Sequence, residues 1–248
     1  MATAVVPEEQ SCSGQRERPD GDSCPDGKEQ DVPKPNTQRR PIVERATEDP
    51  GLLTPMETQC LVRVLCAKVA QGTGIGKFIA DFCVRVISKQ RGRAFADLLL
   101  TSIHQWFARR AELLPRAGDR PEEKAGEEPR YKWTAFVDFL AELLAAMTAA
   151  ARSAADHKPL WLVSSVAVLL CDCCYIMLRC PALGVLDEMK CLQSSLAVAG
   201  KAAESVAAQQ FGDLIVLIGL ASKNPELPPE AQKILLELVE LRATGWKN

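Results

Sequence analysis

The cysteines are the residues whose type and spacing first suggest chemistry. The sequence holds 10 of them, and five fall between residues 171 and 191. Cys171 and Cys174 have the CxxC spacing that zinc sites and redox dithiols share. A zinc knuckle needs that pair in a turn with a second pair elsewhere, and a redox thiolate favours a helix N-terminus. This pair lies inside a long apolar run, so we expect buried core cysteines, no metal and no other cofactor.

A glycine-rich segment at residues 72–77, GTGIGK, invites comparison with phosphate-binding loops. A Walker loop requires Ser or Thr after the lysine, and here Phe78 follows Lys77. A dinucleotide fingerprint requires a preceding strand, whereas the residues before Gly72 have helical spacing. The segment therefore predicts a flexible turn between two helices.

Histidine chemistry has few candidates, because His104 and His157 are the only two histidines. No G-x-S-x-G motif supplies a nucleophile, so a triad would have to be assembled by the fold alone. The adjacent carboxylates Asp187 and Glu188 are typical of a solvated helix face. We expect no catalytic residues and no enzymatic activity.

Basic residues cluster around one predicted helix and the turn after it: Lys77, Arg85, Lys89, Arg91 and Arg93. They are the candidate contacts for an acidic partner or for RNA phosphates. The alternative is an ordinary charged face with cations near a helix C-terminus. No aromatic residues are interleaved as base-stacking platforms.

Helices must position all of these residues. Thr54-Pro55-Met56-Glu57 predicts a helix start, with Thr54 as the cap and Glu57 completing a capping box. Apolar residues then recur with helical spacing, and no segment alternates long enough to predict a strand. The pattern predicts an all-α fold, a HEAT-like α-solenoid of antiparallel helix pairs. The predicted helices cover residues 55–71, 77–89, 93–114, 131–152, 159–179, 183–210, 211–222 and 230–243.

The N-terminal segment differs in composition from the rest. Residues 1–50 hold seven prolines, eleven acidic and seven basic residues, but no aromatic residue. Such a segment buries too little apolar surface to offset the entropy of ordering it. We predict a disordered acidic tail over residues 1–51, a helical domain over 52–248, and a solvated loop at 115–130 within it.

The charge and the hydropathy of the sequence indicate where in the cell the protein is expected. The formal net charge of −2 gives no bulk attraction to nucleic acid. Residues 160–178 approach the length of a membrane span, but Asp172 would be costly in lipid, so a buried central helix is favoured. The start, MATAVVPEEQ, lacks a basic and an apolar region, so we expect no secretory signal, reduced cysteines and no membrane association. The expected location is the cytoplasm, with the nucleus as a second compartment.

Three segments carry a resemblance to a known family: residues 82–87 (FCVRVI), residues 91–107 (RGRAFADLLLTSIHQWF) and residues 238–248 (LVELRATGWKN). With them, the chain resembles the middle domain of eukaryotic initiation factor four-G over residues 52–248. It is most similar to the small stand-alone members. These include the adaptor that binds the histone-mRNA stem-loop-binding protein and the cap-binding-complex-dependent translation factor.

The resemblance implies a HEAT-like domain that acts in translation or mRNA metabolism without catalysis. The implied partners are translation initiation factors or an ATP-dependent RNA helicase, mRNA-binding proteins, in some members RNA, and a second copy of the chain. No Y-x-x-x-x-L-hydrophobic motif for the cap-binding protein occurs, because Phe136 stands at the leucine position after Tyr131. The alternative is a generic helical-repeat scaffold outside translation.

Overall fold

In a computed structural model, the described residues form helices joined by short connections. The structure describes residues 40–72, 74–90, 93–110, 133–153, 160–179 and 185–247. The predicted loop at 115–130 and all but the last residues of the predicted tail lie outside this part. Within it there are nine α-helices: α1 Ile42–Glu48, α2 Pro55–Ala70, α3 Gly76–Lys89, α4 Ala94–Ala108, α5 Trp133–Ser153, α6 Leu160–Met177, α7 Leu186–Val206, α8 Ala208–Ala221 and α9 Pro229–Ala243.

The helices pack in two layers. Helices α1, α3, α5, α7 and α9 each contact the next in one layer, called here the odd layer; α2, α4, α6 and α8 do so in the even layer. Helices α5 and α7 of the odd layer run parallel. Cys191 of α7 contacts Thr134 of α5, and Ser195 contacts Asp138, so the residue numbers rise in the same direction along both helices. The predicted all-α solenoid is confirmed for the described residues, which contain no strand.

The first helix lies within the segment whose composition predicts a tail. Arg45 and Ala46 of α1 are buried, and the compact unit begins at Arg40 rather than at Leu52. Arg45 donates to the Glu57 carboxylate of α2, and this bond helps to hold the pKa of Glu57 low, at about 2. The sequence does not reveal this docking, because α1 has only seven residues and no aromatic side chain.

The start of α2 has the predicted geometry. The Thr54 hydroxyl accepts from the Glu57 N–H at 3.2 Å, and the Glu57 carboxylate accepts from the Thr54 N–H at 3.0 Å. This reciprocal pair is a capping box, and Pro55 occupies the first turn. The predicted break between α7 and α8 is displaced: helical geometry ends at Ala207, where φ is −123°, and not at residue 210. No Gly or Pro marks this break in the sequence.

The last helix ends in a Schellman motif. Gly245 at φ 70° donates its N–H to the Arg242 carbonyl at 2.9 Å, and Trp246 donates its N–H to the Leu241 carbonyl at 2.9 Å. Trp246 itself has φ 63°, a backbone conformation that costs a bulky residue energy. Side-chain packing must therefore hold it there.

That packing closes the C-terminal end of the array. The Trp246 ring lies against the backbone of Gly200 on α7 and meets the Phe211 ring edge-on at 5.6 Å. Its Nε1 donates to Glu204 at 2.8 Å, and Arg242 donates to the other oxygen of Glu204 at 2.9 Å. These bonds lower the pKa of Glu204. We call Gly200, Glu204, Phe211, Arg242 and Trp246 the C-terminal closure.

Two described helices, α5 and α6, are long and apolar enough to cross a membrane by length and composition alone. Both pack against neighbours in the array, and α6 contacts α5, α7 and α8. The buried side of α6 includes Leu162, Val166, Leu170 and Cys174. A core helix passes the same length test, which is the interpretation predicted for residues 160–178.

Candidate partner-binding surfaces

The described members of the predicted basic cluster are engaged in different ways. Lys89, at the end of α3, donates its Nζ to the Thr47 carbonyl of α1 at 2.5 Å. The Arg93 guanidinium, just before α4, lies 4.1 Å from the centre of the Trp161 ring on α6. Lys89 is thus directed toward the N-terminal end of the array and Arg93 toward α6.

The remaining members are also spread out. Lys77 is the second residue of α3 and Lys89 is its last, so about 18 Å of helix separates them. Arg85 is exposed on α3, one helical turn before Lys89. Arg91 lies outside the described residues. Contact of these five residues with RNA or an acidic partner stays a prediction.

Lys77 lines a cavity in the odd layer, where α3, α5 and α7 meet. The cavity has a volume of about 440 Å³. Its charged lining consists of Lys77 with Asp138 and Glu142, so carboxylates outnumber the cation. Burial raises the pKa of Glu142, and nearby Asp81 and Asp138 raise it further, while Lys77 opposes them. An excess of carboxylate charge disfavours phosphate at this end of the glycine-rich segment.

The glycine-rich segment itself is a turn, as predicted. Gly72 and Gly74 have φ of 65° and 71°, values that glycine adopts readily. A helix precedes the turn and α3 follows it, without the strand that a dinucleotide site requires.

Asp138 is held by three groups of α7. The Ser195 hydroxyl donates to its Oδ1 at 3.0 Å, the Ser194 hydroxyl at 3.3 Å and the Cys191 thiol at 3.4 Å. These bonds join α5 to α7 at the cavity wall. They give the Asp138 carboxylate a structural role that requires no ligand.

The described cysteines of the CxxC region are buried in the core. Cys171, Cys173, Cys174 and Cys191 are at most 5% exposed, and Cys180 lies outside the described residues. Burial raises the pKa of the Cys171 thiol to about 12, and that of Cys191 is also raised, first by burial and then by Asp138. Such thiols are poor nucleophiles. Core packing is the structural role predicted for them.

Of the two histidines, only His104 is among the described residues. It is exposed on α4, and its Nδ1 lies 2.9 Å from the Leu100 carbonyl one turn earlier. The bond is local to α4. Among the described residues, it joins His104 to a backbone carbonyl and not to a nucleophile or a carboxylate.

A larger groove lies in the even layer between α2 and α4. It has a volume of about 940 Å³. Met56 and Val64, on the α2 side, are 77% and 51% exposed. Trp106 of α4 lines the opposite side. The charged residues that line this even-layer groove are Arg63 and Arg109.

Sequence patterns miss this groove for a physical reason. Trp106 stands at a helical spacing among apolar residues and is assigned to the core by default, whereas Met56 and Val64 lie outside the apolar stripe of α2 and draw no attention. Only the packing of α2 beside α4 shows which apolar residues are left uncovered. The sequence does carry one sign of the groove. Cys60, Arg63 and Ala67 fall on the same face of α2 as Met56 and Val64.

Comparison with known proteins identifies relatives over most of the chain. No family model matches the chain. Over 219 residues, it is 25% identical to the MIF4G domain-containing protein of Bos taurus, covering 86% of this chain and 87% of that protein. The MIF4G domain-containing protein of Homo sapiens matches with the same identity and coverage.

The chain is related to the MIF4G domain-containing proteins. MIF4G denotes the middle domain of initiation factor four-G, which is the family that residues 82–87, 91–107 and 238–248 resemble. The predicted family is thereby confirmed at the level of a distant relationship. The C-terminal closure gives the last of these segments a structural role, because Arg242 and Trp246 both bind Glu204.

Proposed function

We propose that the protein is a non-catalytic adaptor of translation or mRNA metabolism that binds protein partners on the surface of its helical array. The observation that carries this proposal is the relationship to MIF4G domain-containing proteins over 86% of the chain. A two-layer helical array supports it, because stacked helix pairs form extended surfaces suited to binding other proteins. The partners that we propose are initiation factors, an RNA helicase and mRNA-binding proteins.

The test is affinity purification of the tagged full chain from cell extract, with and without RNase, followed by quantitative mass spectrometry. Initiation or mRNA-binding proteins should be enriched over an unrelated helical-repeat bait of similar size. Partners that survive RNase contact the protein directly, whereas those lost with RNase are bridged by RNA. Enrichment of no such protein, or only of trafficking or signalling proteins, would contradict the proposal.

RNA contact through the basic residues is a separate part of the proposal. Arg85 is suited to a test because it is exposed and no core packing depends on it. Arg85→Glu should reduce ultraviolet crosslinking of the purified protein to RNA, because it replaces a phosphate-binding charge with a repelling one. Lys233→Glu, on the exposed face of α9, is the matched control. Equal crosslinking of both variants and wild type would remove Arg85 from the proposed RNA contacts, and no crosslinking of wild type would remove RNA from the proposed partners.

A further inference from the structure

Thr54, which caps α2, has the sequence context and the exposure of a phosphorylation site. Pro55 follows it, and this is the only serine or threonine in the sequence that directly precedes a proline. Proline in that position is what proline-directed protein kinases recognise. Thr54 and Pro55 are exposed, and Leu52 and Met56 on either side are 58% and 77% exposed. The segment is therefore open to an enzyme from solvent.

The backbone around Thr54 already has the conformation of a kinase substrate. Kinases bind the residues around the acceptor hydroxyl in an extended form. Leu53 has φ −77° and ψ 133°, and Thr54 has φ −67° and ψ 158°, so both are extended. The proline favours this, because its ring disfavours the helical region for the residue before it. Only the first turn of α2 must open for a kinase to bind the residues after Pro55, and helix ends open at low cost.

The Thr54 hydroxyl lies close to the guanidinium group of Arg45 on α1. The hydroxyl donates to Oε2 of Glu57 at 3.1 Å, and Nη1 of Arg45 donates to the same oxygen at 3.5 Å. These two distances place the hydroxyl less than about 7 Å from the guanidinium. Phosphate oxygens on Thr54 extend beyond the hydroxyl, so they can reach Arg45 after small movements of the side chains.

Arg45 has hydrogen-bonding capacity that the unmodified protein leaves unused. The residue is only 8% exposed, yet its Nε has no hydrogen-bond partner among the described residues. A buried donor without an acceptor is costly. The carboxylate that Arg45 binds, that of Glu57, carries one charge and two oxygens. A phosphate dianion has more charge and three acceptor oxygens, which suit the forked guanidinium. The unpaired Nε therefore points to an anion with more acceptors than Glu57 provides.

We propose that Thr54 is a phosphorylation site and that Arg45 binds the phosphate. A proline-directed kinase transfers the γ-phosphoryl group of ATP to Oγ1 of Thr54. The new O–P bond forms, the bond from the γ-phosphorus to the bridging oxygen breaks, and ADP leaves with that electron pair. The hydroxyl proton passes to the catalytic aspartate of the kinase. The proposal goes beyond the adaptor function and does not depend on it.

The phosphate changes how α1 is held to α2. It repels the Glu57 carboxylate, which has the same sign of charge, and takes its place at Arg45. The backbone N–H groups at the start of α2 also favour an anion in this position. Helix α1 is then joined to α2 through the phosphate instead of through Glu57.

The first experiment treats the purified full-length protein with ATP and Mg²⁺ and either a mitogen-activated protein kinase or a cyclin-dependent kinase. Mass spectrometry should find one added phosphoryl group, on Thr54. Pro55→Ala is the matched control, because it keeps the Thr54 cap and removes the recognised proline, so it should lose most of the modification. No modification of Thr54 by either kinase, or equal modification of wild type and Pro55→Ala, would overturn the proposal.

The second experiment measures whether Arg45 binds the phosphate. Phosphorus NMR follows the second ionisation of phosphothreonine, whose ordinary pKa is about 6. Because a guanidinium favours the dianion, this pKa should be lower by about 1 pH unit in the folded protein than in the same protein in urea. Arg45→Gln, checked for folding by circular dichroism, should remove most of the difference. An equal phosphate pKa in folded and urea-unfolded wild type, a comparison that needs no variant, would refute the contact.

A third measurement keeps Arg45 and changes Glu57. Glutamine can still close the capping box, so Glu57→Gln retains the start of α2. In the unmodified protein this substitution removes the ion pair with Arg45 and should lower the urea midpoint of unfolding. In the phosphorylated protein it removes a carboxylate that repels the phosphate and should raise the midpoint. A decrease of the same size in both forms would overturn the proposal.

Discussion

Adding one methyl group at Gly200 should destabilise the protein through Trp246. A Cβ built on Gly200 would lie 2.3 Å from Cζ3 and 2.4 Å from Cη2 of the Trp246 ring. These distances are far below van der Waals contact, and the ring is rigid. In Gly200→Ala the indole must therefore move away from α7, which disrupts its contact with Phe211 and its hydrogen bond to Glu204.

The magnitude follows from what the indole loses. The edge-on contact with Phe211 accounts for about 1 kcal/mol. The hydrogen bond to Glu204 adds about 1 kcal/mol, since this carboxylate is 36% exposed and water weakens the bond. Lost apolar burial brings the cost of Trp246→Ala to about 2–4 kcal/mol. Gly200→Ala regains up to about 1 kcal/mol from the higher helix propensity of alanine, leaving a net loss of about 1–3 kcal/mol.

The assay is a double-mutant cycle measured by urea denaturation. In the wild-type background Gly200→Ala should lower the free energy of unfolding; in the Trp246→Ala background the same change should raise it by up to about 1 kcal/mol. This reversal of sign isolates the steric contact. A loss of the same size in both backgrounds, or no loss in wild type, would refute the close packing of Trp246 on Gly200.

Three further predictions concern titratable groups. The folded-state pKa of Glu57 is lowered to about 2, so its pairing with Arg45 stabilises the fold above the unfolded pKa and is lost on acidification. The stability difference between wild type and Glu57→Gln in denaturant titrations should shrink from pH 5 to pH 2, and a constant difference would contradict this pairing. Glu188 is only 3% exposed, so the solvated face predicted for it is wrong. Burial raises the pKa of Glu188, so its ionised form opposes folding, and Glu188→Gln should raise the melting temperature more at pH 8 than at pH 4. An equal increase at both pH values would exclude this cause. Burial raises the pKa of the Cys66 thiol to about 12, whereas Cys60 on the same helix is exposed. At pH 8 Cys60→Ser should therefore remove one fast-reacting thiol from a disulfide-exchange assay and Cys66→Ser should remove none.

Local patterns predict much of the fold. Thr54 and Glu57 mark the start of α2 because capping is decided by residues three positions apart. The all-round apolar character of α6 predicts its central position, since only packing on several sides can cover it. The C-terminal segment is recognisable from sequence, although its role is not.

Contacts between distant residues explain what local patterns cannot predict. The docking of α1 depends on Arg45 reaching Glu57, which belongs to the next helix. The five basic residues read as one cluster because they are close in sequence, yet α3 separates Lys77 from Lys89 and Trp161 engages Arg93. The even-layer groove depends on the alignment of α2 with α4, which no spacing within either helix encodes.

The C-terminal closure has a consequence for synthesis of the chain on the ribosome. Gly200 of α7 and Phe211 of α8 are made well before Trp246, so neither is covered by its ring while α9 is still being translated. Sealing of this end of the array is then among the last folding events of the domain. A premature stop codon a few residues before Trp246 would release a chain with all of the described helices and an open end. Such a product should be selectively bound by chaperones and degraded.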